Sequence, residues 1–288
     1  MINPLLAILA AAMQAGSSAG GDAAHISPIE PHRAPAGYEL VFADEFTEGD
    51  LPDGRKWTYD THRNAEGWYN NELQYYAAGR RENARIENGA LVIEARAENL
   101  RGLSLADFGG QNYSSARLVT NGAGWTYGFY EIRAKLPCGR GTWPAIWMLP
   151  ADTTVTWPNG GEIDIMEHVG YDPGVIHTSV HTRAFNFRRG THRTNSYSLP
   201  TACDRFHRYQ LLWTPQRLVF AVDDAPNFLF EKVRSDRSRW PFDAPMNLIL
   251  NIAVGGDWGG QRGIDSAAFP ARMEIDHVRV YQLAGGAQ

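Results

Sequence analysis

Residues 160–170 read GGEIDIMEHVG, and three carboxylates, Glu162, Asp164 and Glu167, stand there among β-forming residues instead of in a charged surface run. Like charges at strand spacing repel, so such a cluster invites a chemical reading. Two fit. In glycoside hydrolysis one carboxylate attacks or activates water, another protonates the leaving oxygen, and their repulsion raises the pKa of the acid. In metal binding, calcium accepts an oxygen-rich cluster, although it usually takes ligands from loops, carbonyls included, rather than alternate positions of one strand. A solvated charged face is the reading without chemistry.

A strand must hold these groups on one side. Glu162 and Asp164 are two apart and share a face, but Glu167 is five from Glu162, and an odd offset points it to the other face. A β-bulge, in which two residues oppose one on the partner strand, would absorb one position and return Glu167 to the face of the other two. The sequence therefore predicts a bulge within Ile165–Met166.

Sugar binding needs flat aromatic platforms and planar polar groups, and both lie near the carboxylates in sequence. Residues 141–150 (GTWPAIWMLP) supply Trp143 and Trp147, residues 69–76 (YNNELQYY) supply Asn71 and Glu72, and residues 255–260 (GGDWGG) put Trp258 among glycines that cannot bury it. Trp125 and Trp157 suit groove or core equally, and Trp213, in LLWT, reads as core. The Arg117 fork would suit hydroxyls. His181, in IHTSVHT, follows the carboxylate strand by a plausible hairpin and could face the same groove.

The supporting elements read as all-β. Runs of β-branched and aromatic alternation recur between turn signals at Ala90–Arg96, Gly128–Leu136, His207–Trp213, Leu218–Val222, Met246–Val254 and Met273–Tyr281, a spacing that means sandwich or barrel. In Gly128–Leu136 the residues Tyr130, Ile132, Ala134 and Leu136 fall on one face, the period of a half-buried strand. No internal repeat or Gly/Ser linker interrupts residues 37–284, which read as one domain, with 285–288 as a tail.

The chain has 288 residues with 27 Lys+Arg against 32 Asp+Glu, a net charge of −5 that excludes a nucleic-acid binder by bulk charge. Residues 1–19 read as a signal peptide: Leu5–Met13 (LLAILAAAM) is apolar, too short to span a bilayer and followed by small residues, although Lys and Arg are missing before it. Residues 20–36 read as a flexible tether, and nothing later is long and apolar enough to cross a membrane. A secreted or periplasmic monomer is expected. Export would permit a bond between Cys138 and Cys203; two free buried thiols are the alternative.

GEIDIMEHVG, with GTWPAIWMLP before it, NNELQYY upstream and NIAVGGDWGG downstream, resembles glycoside hydrolase family 16, most of all its bacterial laminarinase branch, over about residues 38–283. The resemblance implies a concanavalin-like β-jelly roll of two curved antiparallel sheets with a concave substrate groove, and a retaining endo-β-1,3-glucanase. It makes Glu162 the nucleophile, Glu167 the general acid and then base, and Asp164 the group that tunes the nucleophile. It places Asn71, Glu72, Arg117, Trp125, Trp143, Trp147, His181 and Trp258 at glucose subsites. No cofactor is implied for catalysis, but a structural calcium is, held by Asp276 and the carbonyls of Glu45 and Gly89. Mixed-linkage β-1,3-1,4-glucan and algal galactan remain alternative substrates, and a non-catalytic β-glucan-binding module remains an alternative class.

Overall fold

The computed structural model describes residues 34–285; the expected signal peptide, most of the tether and residues 286–288 lie outside the described residues. Regular structure runs from Tyr38 to Leu283, and helix among the described residues is confined to three 3-10 turns of three residues each. No described helix is long and apolar enough to cross a membrane.

The strands form a ten-stranded and a seven-stranded sheet. In the larger sheet the main order is Ala225–Glu231, Arg217–Val222, His207–Trp213, Gly128–Lys135, Ala271–Leu283, Ala90–Ala97, Tyr113–Ser115 and Gln74–Tyr76. The smaller sheet runs Arg193–Ser198, Val175–His181, Glu162–His168, Thr142–Pro150, Met246–Val254, Arg117–Thr120 and Trp57–Tyr59. The pairings are antiparallel as expected, apart from Gln74–Tyr76, which runs parallel to Tyr113–Ser115. Both strands have only three residues, too few to show a period in the sequence.

Alternation explains why the sheets stack. Tyr130, Ile132 and Ala134 of Gly128–Lys135 are fully buried, whereas Arg133 and Lys135 face away from the core and pair with Asp276 and Glu274 at 3.0 and 2.8 Å. One hydrophobic core joins Tyr130, Ile132, Trp213 and Phe220 of the larger sheet to Ile146, Met148, Ile163 and Ile252 of the smaller. Each such side chain contributes roughly 1.5–3 kcal/mol on burial, so this shared layer, rather than strand pairing alone, holds the sheets face to face. The far face of the seven-stranded sheet is left to carry polar groups.

Candidate active site

The carboxylates sit on that far face. Strand Glu162–His168 pairs Asp164 with Trp147 and Met166 with Ile146 on one side, and Asp164 with Ser179 and Glu167 with His177 on the other. One residue is therefore extra between Asp164 and Glu167, at the expected Ile165–Met166 bulge. Ile163, Ile165 and Met166 all enter the core, at 0, 1 and 0% exposure, while Glu162 and Glu167 remain open to the groove. The energetics favour this arrangement. Without the bulge Glu167 would turn into the core, and an unpaired buried carboxylate costs several kcal/mol; interrupting the ladder at one position costs about 1 kcal/mol.

Register then assembles the site across the sheet. Arg117, Asn251, Ala145, Glu167 and His177 are successive partners on one rung, and Trp147, Asp164 and Ser179 on the rung two positions along, which shares its face. Trp143, four residues from Trp147 on the same strand, shares its face, and its indole Nε1–H donates to Glu167 Oε1 at 3.0 Å. Trp157 Nε1–H donates to Glu162 Oε2 at 2.9 Å. Each terminal glutamate is thus aimed by one indole. His181 pairs with Glu162 in register, and its Nε2 lies 3.7 Å from Glu162 Oε1 and 3.3 Å from Asp164 Oδ2.

Burial dominates the electrostatics. It raises the Glu162 carboxyl to about 8, helped by the Asp164 charge and opposed by His181 and the Trp157 N–H. Burial also lifts Asp164 well above the usual carboxylate range, opposed by its hydrogen bond with Glu162. Glu167 is raised well above its ordinary value by burial and then by the Asp164 charge, against His181 and the Trp143 N–H. Three negative charges cannot coexist there, so the cluster holds protons at neutral pH. Asp164, only 2% exposed, has the least solvent to support a charge. Glu162, raised least of the three, is the first to become a carboxylate as pH rises, with Asp164 bonded to it and Glu167 still protonated.

The flanks of the groove are clamped. Asn70 and Asn71 both adopt left-handed backbone, at φ 56°, and Asn71 Nδ2 donates to Asp257 Oδ1 at 2.7 Å while the Asp257 N–H donates to the Asn70 carbonyl at 2.7 Å. Glycine is required at 256, where φ is +74° and a Cβ would lie 2.9 Å from that carbonyl. Trp258 is only part-buried, edge-on to Trp143 and His177 at 5.3 and 4.9 Å between ring centroids. Arg117 lies between the Trp68 and Trp147 rings, at 5.1 and 4.8 Å, and its Nε pairs with Asp60 at 2.9 Å. Trp147 Nε1–H donates to Asn251 Oδ1 at 2.6 Å. Glu72 accepts from Gln74 at 2.9 Å, and burial raises its pKa.

Of the expected groove residues, the structure links Trp143 and His181 to the carboxylates by direct contact, Trp258 through Trp143, and Arg117 and Trp147 through the shared rungs. Asn71 and Glu72 border the groove at the Trp258 loop, Glu72 through a backbone bridge to Gly255. Trp125 needs correction: its ring packs on Phe42 and Tyr130, at 5.2 and 6.5 Å, against the core. Trp157, His177 and Asn251 join the site beyond those expected. Of these, His177 was legible, because it shares strand parity with His181.

The residues expected to hold calcium lie on the other sheet. Glu45 accepts from Arg279 Nε and Nη2 at 2.8 Å each, and Asp276 meets Arg133 and His277 Nδ1 at 3.0 Å. On the carboxylate strand and its neighbour, ligand atoms of Glu162, Asp164 and His181 lie within 4.8 Å of one another. That set contains an imidazole, unlike the oxygen ligands calcium takes.

The chain is similar throughout this region to known proteins. It is 52% identical over 254 residues to a β-glucanase of Rhodothermus marinus, covering 85% of each chain. It superposes on the laminarinase structure from the same organism with a TM-score of 0.79 at 51% identity, covering 88% of this chain and 98% of that one. It also superposes on a variant of SCLam, a non-specific endo-β-1,3(4)-glucanase with 1,3-β-D-cellobiosyl-glucose at its active site, at a TM-score of 0.84 and 53% identity, with coverage of 88% and 98%. The sandwich is accordingly the jelly roll of these enzymes. Residues 55–279 match the family model for glycosyl hydrolases family 16, and with the carboxylate strand and its bulge in place, the chain belongs to that family.

Proposed function

We propose that the protein is a secreted, retaining endo-glycosidase that cleaves β-1,3-glucan by double displacement. The observation that carries this reading is the pair of indole-held glutamates flanking the buried Asp164 on one bulged strand. Glu162 attacks the anomeric carbon while the bond to the leaving oxygen breaks, and Glu167 gives that oxygen its proton. Glu167, now a base, takes a proton from water; the water oxygen attacks the same carbon and releases Glu162. Asp164 holds its proton toward Glu162 and steadies the charge there before and after the covalent stage. Trp143, Trp147 and Trp258 supply ring platforms, and Arg117 and His181 supply donors.

Mixed-linkage β-1,3-1,4-glucan is the second reading, favoured by the non-specific β-1,3(4) activity that names the SCLam relative. Both readings keep the same carboxylate roles. A β-glucan-binding module needs neither glutamate, and both are present. The apolar leader of residues 5–13 supports export. A calcium ion on the larger sheet would draw on the oxygens of Glu45, Gly89 and Asp276, the class this cation takes; both contacts of Asp276 fall on Oδ2, which leaves Oδ1 to turn toward an ion. Such an ion would stabilise the fold and take no part in the chemistry.

Reducing-end release from laminarin, barley β-glucan and agarose, by wild type and Glu162→Ala side by side, tests the proposal. Activity greatest on laminarin and nearly lost in a still-folded variant supports it. Greater activity on barley β-glucan replaces the substrate, and binding without cleavage replaces the enzyme.

A further inference from the structure

We propose that Cys138, His168 and Cys203 form a second ligand site, a Cys2His centre for a zinc-class divalent cation, when the disulfide between the two cysteines is reduced. Nothing in the glycosidase reading uses these residues. Cys138 lies in the turn after strand Gly128–Lys135, His168 ends the carboxylate strand, and Cys203 lies in the turn before strand His207–Trp213. The disulfide joins the cysteines with Cα atoms 5.8 Å apart.

The geometry points to a metal because the imidazole sits beside the sulfurs. His168 Nε2 is 3.8 Å from Cys138 Sγ, and one ligand atom from each residue lies within 4.8 Å of the others. Zinc bonds of about 2.3 Å to sulfur and 2.0–2.1 Å to nitrogen put tetrahedral ligands about 3.5–3.8 Å apart. The sulfur-to-nitrogen distance is already in that range. Reduction frees the sulfurs to part to it by side-chain rotation.

The backbone holds the three segments together without the S–S bond. The Leu136 N–H donates to the Ala202 carbonyl at 3.0 Å, and the Thr142 N–H and hydroxyl donate to the Gly139 carbonyl at 3.0 and 2.8 Å. Gly170 approaches Gly139 so closely that a Cβ would lie 1.8 Å from its carbonyl oxygen. His168 is fully buried, and its Nε2 accepts only a long bond, 3.3 Å, from the Gly174 N–H. A cation would replace that donor. Cys138 is exposed, which gives an entry path and leaves the fourth position to water.

The chemistry balances with a phosphine reductant in water. The phosphine gives two electrons to the S–S bond and takes the water oxygen as its oxide, and the two water hydrogens end on the sulfurs. The cation then displaces both thiol protons to solvent, and two thiolates neutralise its two charges.

The test reduces the full chain with a phosphine, removes the reductant without air and titrates with Co2+ alone. One equivalent should bring up a sulfur-to-cobalt charge-transfer band in the near ultraviolet with the visible bands of a tetrahedral ion, and Zn2+ should abolish both. Oxidised protein should show no band, and the Glu162, Asp164 and His181 cluster cannot produce one. His168→Gln should weaken binding ten- to a hundredfold. If that variant fails to fold, the surface change Cys138→Ser serves, and it should lose the band with an unchanged circular dichroism spectrum. A reduced wild type without the band, equal affinity in folded His168→Gln, or a band retained in Cys138→Ser would each overturn the proposal.

Discussion

Glu162→Gln should make the protein more stable while removing its activity, and the gain should grow with pH. The Glu162 carboxyl is raised from 4.5 to about 8, so between those values the unfolded chain has lost a proton that the folded protein retains. A carboxylate raised in this way lowers stability as pH rises through that window. At about pH 7 the unfolded group lies about 2.5 pH units above its own pKa, and at about 1.4 kcal/mol per unit the penalty is about 3 kcal/mol; at about pH 5 it is under 1 kcal/mol. Water in the groove reaches this side chain, which is 16% exposed, so roughly 1.5–3 kcal/mol at neutral pH is the working figure. Glutamine keeps the shape and does not titrate. At about 2–4 °C per kcal/mol for a domain this size, Tm should rise by roughly 3–12 °C at pH 7 and by no more than about 3 °C at pH 5. Scanning calorimetry of wild type and variant at both pH values measures this, with laminarin hydrolysis alongside. A lower Tm in the variant, or an equal gain at the two pH values, would refute the reasoning.

Trp143→Phe removes the N–H that favours ionised Glu167, so the alkaline limb of kcat/KM should move up by roughly 0.5–1 pH unit; an unmoved limb contradicts the assignment of Glu167 as acid. Trp157→Phe should move the acid limb upward in the same profile, because Glu162 loses the donor that favours its charge. Arg117→Lys gives up the stacking between Trp68 and Trp147 and weakens the Asp60 pair, and should lower stability by about 1–3 kcal/mol in urea unfolding. Deleting Ile165 changes the offset between the two glutamates from five to four and removes the need for the bulge. That variant should lose stability with its core side chain yet keep measurable laminarin hydrolysis, whereas a folded protein without activity would mean the bulge does more than restore parity.

Parity made the centre of the site legible. An odd spacing among carboxylates that belong together leaves few remedies, and the bulge lies at the two residues where both side chains enter the core. The long strands His207–Trp213 and Met246–Val254 were readable for the same reason, since nine or seven residues suffice to show a pattern. Trp157 was harder, because its contact with Glu162 depends on how the turn at 157–161 folds back, and turns carry no period. Trp125 went the other way. Its ring meets Phe42 and Tyr130, residues 83 and five positions distant in the chain, and only the stacking of the sheets brings Phe42 there. Asn251 stands among apolar neighbours in NLILNIAV, and its partners Trp147 and Tyr76 become visible only with the register of three strands.

In the proposed mechanism Glu162 attacks carbon and Glu167 handles the proton, and the stereochemistry of the first product tests that most directly. Proton NMR of a laminari-oligosaccharide during the first minutes of cleavage should show the β-anomer of the new reducing end first, with the α-anomer growing in only by mutarotation. The α-anomer appearing first would mean a single displacement by water and would contradict the nucleophilic role of Glu162.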